Sequence, residues 1–70
     1  MKIKYRHASA PKVEKIHDTK KAYDNMDFAI RDPQSKLYNI TQQEFDKIQL
    51  ETFKRDKQRL IICDYEIIEF

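Results

Sequence analysis

The sequence predicts an α+β fold: one small domain over residues 1–70, with an antiparallel sheet of three to four strands and one main helix packed on one face. Three observations carry this. The first residues, Lys2-Ile3-Lys4-Tyr5-Arg6-His7, alternate cation with apolar or aromatic side chain, the period-two pattern of a half-buried strand. Thr41-Gln42-Gln43-Glu44 is a capping box that opens a helix. Residues 60–70 are rich in β-branched and aromatic side chains, which favour a strand.

Taken in order, residues 2–7 form the first strand, and Ala8-Ser9-Ala10-Pro11 reads as a loop. Between Pro11 and Met26 the periodicity is poor. Val13, Ile16, Tyr23 and Met26 fit a helical face, with Lys20 interrupting it, and Asp18-Thr19 can cap a short helix over residues 20–26.

From Asp27 the pattern turns to period two. Phe28 and Ile30 alternate with Ala29 and Arg31, and Leu37, Tyr38 and Ile40 follow the turn Asp32-Pro33-Gln34-Ser35. Asp at the first turn position and Pro at the second suit a type I turn, which predicts a hairpin with strands near 27–31 and 36–40. The competing reading makes Asp32 the N-cap and Pro33 the first residue of a single helical turn.

Behind Thr41 the sequence predicts a helix from about 42 to 58. Ile40 and Phe45 are placed as a hydrophobic staple around the cap. Phe45, Ile48, Thr52 and Phe53 share one side, with Gln49 inside that arc, while Lys47–Glu51 and Glu51–Arg55 are i,i+4 partners on the other. Lys54, Arg55, Lys57 and Arg59 place cations at the negative end of the helix dipole. A last strand is expected over 61–69. Ile61, Cys63, Tyr65 and Ile67 lie on one face, and Ile62, Ile68 and Phe70 share the other with Asp64 and Glu66.

The chain has no glycine, where average usage gives roughly five in this length. Glycine-built phosphate loops, dinucleotide fingerprints and nucleophile elbows are therefore excluded. If the hairpin at 27–40 forms, Asn25 or Asn39 is the residue expected to take a left-handed conformation. The single cysteine, Cys63, forms no internal bridge and points to a reducing, cytoplasmic setting. No apolar segment follows the basic N-terminus, so a signal peptide is not expected, nor is a membrane partner.

Two histidines and one cysteine lack the paired ligand spacing of a structural zinc site, and no cofactor is expected. Cys63, inside an apolar strand, reads as a buried inert thiol. Tyr5, Arg6, His7 and Glu66 carry the residue types of a small metal-independent ribonuclease, a third-ranked reading.

Fourteen basic residues oppose twelve acidic ones in blocks along the chain. Lys2, Lys4 and Arg6 on the first strand, and Lys54, Arg55, Lys57 and Arg59 at the helix end, are candidate contacts for nucleic acid or another anion, with Tyr5 and Tyr38 as stacking groups. Ile62, Ile68 and Phe70 are a candidate protein interface, because a small domain with a strand apolar on both faces invites self-association or β-augmentation. The leading expectation is a non-enzymatic interaction module that binds a protein or a second copy of itself, of the kind found among bacterial or phage accessory proteins. Weak nucleic-acid binding is the alternative.

Overall fold

The computed structural model describes residues 1–70 and contains three strands and three helices. They run β1 (Lys2–His7), β2 (Glu14–Asp18), α1 (Thr19–Asn25), α2 (Asp27–Arg31), α3 (Gln42–Gln58) and β3 (Ile62–Glu69). The sheet has the order β2-β1-β3, antiparallel throughout. The predicted α+β class, the antiparallel sheet and the main helix over 42–58 all hold.

β1 is central, and its alternation sets the two faces of the sheet. Ile3 and Tyr5 point inward toward α3, and Ile3 is fully buried. β3 departs twice from strict alternation. The register steps from Arg6↔Asp64 to His7↔Ile62, and from Lys2↔Glu69 to Ile3↔Ile67, which leaves Cys63 and Ile68 as extra residues on β3. Each is a bulge, which shifts the inward set of the strand by one residue.

The expected faces hold for Asp64, Tyr65, Glu66 and Ile67, and the first bulge reverses them at residues 61–63. Ile62, not Ile61, enters the core, at 3% exposure. Ile62 is thus a core residue and leaves the predicted interface. Cys63 is exposed, contrary to the buried thiol expected, because the bulge turns it out of the inward row.

The Thr41 cap forms on α3, although its reciprocal half differs from the ideal box. Thr41 Oγ1 accepts from the Glu44 backbone N–H at 3.2 Å and donates to Glu44 Oε1 at 3.1 Å. The capping expectation at Asp18 also holds: its Oδ1 accepts from Lys20 N at 3.0 Å and Lys21 N at 3.3 Å, opening α1. Thr19, fully buried, donates from both its N–H and its hydroxyl to the Met1 carbonyl, at 2.8 and 2.9 Å. The helix start is thereby fixed to the start of the central strand.

The predicted hairpin at 27–40 does not form. Residues 27–31 are helix α2, and residues 32–40 close successive local turns, with Ser35 N bonding Asp32 O, Tyr38 N bonding Ser35 O and Ile40 N bonding Leu37 O. Asp32 Oδ1 accepts from Gln34 N at 2.9 Å, which is the capping role of the competing reading. Alternation over so few residues argues for a strand, but the local bonds override it: on the helix Phe28 and Ile30 fall on opposite sides, and Phe28 is left 74% exposed. The segment is held by Tyr23, whose hydroxyl donates to Ile40 O at 2.7 Å and whose ring meets Phe45 edge-on at 5.5 Å.

The third strand comes instead from residues 14–18, where sequence periodicity was poor. Both parities of Glu14-Lys15-Ile16-His17-Asp18 are mostly polar, so alternation there carries no hydrophobic signal.

Two residues have a left-handed backbone, Asn39 at φ 58° and Leu60 at φ 61°. Asn39 is one of the two named, although the hairpin on which that expectation rested does not form. Leu60 follows the α3 C-cap Arg59, where Leu60 N bonds Lys57 O at 3.2 Å and Ile61 N bonds Asp56 O at 2.9 Å. These are the two bonds of a Schellman motif, with leucine at the position that glycine usually takes.

Candidate functional site

The outer face of the sheet, opposite α3, is built of charge. Along β1 it presents Lys2, Lys4 and Arg6. Register places Asp18, Ile16 and Glu14 of β2 beside them on one flank, and Glu69, Glu66 and Asp64 of β3 on the other. A central row of three cations therefore lies between two acidic rows. Five carboxylates face three cations.

The side chains make the pairings that this register allows. Lys2 Nζ lies 3.5 Å from Glu69 Oε2, and Lys4 Nζ lies 3.6 Å from Glu66 Oε2 and 3.9 Å from Glu14 Oε1. Arg6 binds Asp64 with two parallel bonds, Nε to Oδ1 at 3.1 Å and Nη2 to Oδ2, the bidentate geometry that suits a guanidinium. Those hydrogen bonds hold the Asp64 carboxyl below its ordinary pKa and raise Arg6 above its own. At Asp18, desolvation works upward, but the N–H groups of Lys21 and Lys20 outweigh it and leave that carboxyl below its usual value.

The predicted basic strand is thus matched by acids on both sides. Sequence reasoning missed the β2 flank because Glu14 and Asp18 lie in the segment it did not place. Lys54, Arg55, Lys57 and Arg59 differ: none lies within ion-pairing distance of a carboxylate. At 3.6 residues per turn they fan over about half the circumference of the helix, so they make a positive helix end and not a single row. The expected Lys47–Glu51 and Glu51–Arg55 pairs do not close either, whereas Asp27–Arg31 does at 3.1 Å.

On the inner face, Phe53 of α3 is the hub of an aromatic cluster. Its ring centroid lies 5.1 Å from Tyr5, 5.6 Å from His17 and 6.0 Å from Tyr65, and His17 Nε2 bonds Gln49 Oε1 at 2.7 Å. Tyr5 is therefore packed against the helix, where it cannot also stack on a base. Of the four residues of the ribonuclease reading, Tyr5, Arg6 and Glu66 border one cavity on the sheet with Lys4, Glu14, Asp64 and Tyr65, and His7 lies outside it. Tyr5 faces the helix, Arg6 and Glu66 face outward in ion pairs, and His7 Nδ1 is engaged at 2.7 Å by Ser9 Oγ.

Of the predicted interface residues, Ile68 and Phe70 remain exposed, at 44% and 95%. Phe70 shares an open groove with Met1 and Leu50 beside Lys47 of α3. No group of three or more His, Cys, Asp or Glu side chains is arranged to hold a metal ion, and no helix is long and apolar enough to cross a membrane.

Comparison of the chain with protein-family models, with curated proteins and with solved structures returns no match.

Proposed function

We propose that this protein is a non-enzymatic protein-interaction module, whose surface is completed by another polypeptide. The observation that carries this reading is how little the fold encloses. Only Ile3, Phe45, Ile62 and Thr19 are buried, while ten large apolar side chains are 37–95% exposed. The accessible surface is 5481 Å², against about 4,700 Å² for a compact monomer of this mass. The radius of gyration is 13.2 Å, against about 11 Å for a compact domain of this length. A small domain with a thin core gains most from burying surface against a partner.

Two measurements test the reading. Light scattering from micromolar to millimolar concentration detects a second copy as partner. Selection of displayed random peptides on the immobilised protein detects a different chain. A mass that rises with concentration, or peptides that converge on one pattern, supports the module. A mass fixed at that of one chain, together with no convergent peptide, overturns it.

The second reading, nucleic-acid binding, rests on the unpaired cations at the end of α3. It predicts retention on heparin and an affinity for single strands that falls steeply with salt. Loss of that affinity in the Lys54, Arg55, Lys57 and Arg59→Ala variant would favour it over the first.

A further inference from the structure

We propose that the free edge of β3 docks an extended segment of another protein carrying Lys or Arg at alternate positions. This rests on the protein-interaction reading and names the surface and the partner. β3 is an edge strand, and beyond β1 it pairs with no other strand. Between its two bulges, residues 64–67 keep a regular ladder with β1. An edge of this kind presents backbone donors and acceptors to an incoming strand.

Charge decides which strand fits. On the outer face a strand added to residues 64–67 lies directly beside Asp64 and Glu66, with Glu69 beyond the second bulge. These side chains remain 50%, 68% and 63% exposed although each is paired with β1. Opposite charges across neighbouring strands stabilise, and like charges destabilise. Cations on the incoming strand would stand two strand spacings from Lys2, Lys4 and Arg6, about 9.5 Å. That exceeds the screening length of about 8 Å at physiological salt, so the near attraction outweighs the far repulsion. At the intervening positions, apolar side chains of the guest would fall on the side of Tyr65 and Ile67.

The protein's own edges do not meet this requirement. A second β3 sets acid against acid, and β2 offers Glu14 and Asp18 on the same face. The strand with the fitting pattern is β1, Lys-Ile-Lys-Tyr-Arg-His, which is already central. The β2 edge is the poorer host: it is five residues long, and its Asp18 carboxylate is occupied in capping α1.

The test is an amide NMR titration of the intact protein with a blocked synthetic peptide of the β1 sequence. The controls are the same peptide with its three cations replaced by Glu, and two peptides N-methylated at alternate residues, one for each edge of the strand. The expected result is saturable shifts at residues 64–67, weaker in high salt, absent with the Glu peptide and lost with one of the two N-methylated peptides. Asp64→Asn and Glu66→Gln should each weaken binding about twofold to fivefold. Glu66→Gln alone suffices if loss of the Arg6 partner impairs folding. Equal binding of the Glu peptide, binding that survives N-methylation on both edges, or shifts confined to the end of α3 would overturn the proposal. Self-association, or displayed peptides that converge on another pattern and leave residues 64–67 unmoved, would overturn it while leaving the module reading intact. No peptide binding and no self-association would remove both.

Discussion

Arg6 in the middle of the sheet grips Asp64 on its edge through two parallel hydrogen bonds, although 58 residues separate them in sequence. The pair joins the two longest strands and shows how the outer face is organised: each β1 cation is answered by an acid on β3.

This pair gives stability a pH dependence of fixed sign. The Asp64 carboxyl titrates below its unfolded value, which is about 3.9. Its contribution is fully present above that value and is lost as the pH falls through the lower, folded pKa. Urea midpoints for the natural protein and Asp64→Asn should differ by a constant amount from about pH 5 to 7. The gap should close toward pH 2. A gap of the same size at both ends of the range would contradict the assignment.

Leu60 holds a left-handed conformation at φ 61° while 79% exposed. An L-residue there costs about 1–2 kcal/mol, and glycine restores part of that against a larger unfolded-state entropy. Leu60→Gly is expected to stabilise the protein by roughly 0.5–1 kcal/mol, raising Tm by about 2–8 °C. Leu60→Ala keeps the Cβ and should give no comparable gain. Thermal melts of both variants decide the point.

Thr41→Ala removes the hydroxyl that accepts from Glu44 N. The expected loss is about 1 kcal/mol, read as a lower urea midpoint with unchanged slope. Thr41→Ser, which keeps the acceptor, should recover most of it.

Ile62 and Phe70 are eight residues apart and opposite in consequence. Ile62→Ala should cost about 2–5 kcal/mol, since it opens a cavity in a core of very few side chains. That is enough to unfold much of a marginal domain. Phe70→Ala should change stability by no more than about 0.5 kcal/mol. A large loss at Phe70 in denaturant titrations would mean that its ring is packed in solution.

If exposed Ile68 and Phe70 form the contact between copies, Ile68→Lys and Phe70→Lys should each lower the weight-average mass at millimolar concentration while leaving the circular dichroism unchanged. Rising mass with no effect of either substitution would place the contact elsewhere.

Where local chemistry was sufficient, the elements were legible in the residues. The Thr41 box, the alternation of residues 2–7, the Asp18 cap and the β-branched tail each report a bond or pattern closed within a few residues. The misread segments lack such a signal. In 27–31 the alternation rests on two apolar residues alone, Phe28 and Ile30, and the bonds to Tyr23 and among neighbouring turns choose the helix. In 14–18 both faces are polar because one lies over the edge of the aromatic cluster and the other belongs to the charged surface. The bulge at Cys63 has no mark in the sequence, yet it exchanges Ile61 for Ile62 in the core.

The candidate site divides in the same way. Seven cations were visible as candidates, and only register separates them into a paired row on β1 and an unpaired group at the end of α3.

By itself, then, the sequence determined the α+β class, the main helix with its cap, the two long strands and the exclusion of glycine-built phosphate sites. Each follows from interactions spanning one to four residues. Tertiary structure alone decided the strand order, the two bulges, the burial of Ile62 and the acidic flanks of Lys2, Lys4 and Arg6. Those depend on which residues stand opposite one another across a sheet, and pairing over such separations is set by register and packing, which no local pattern encodes.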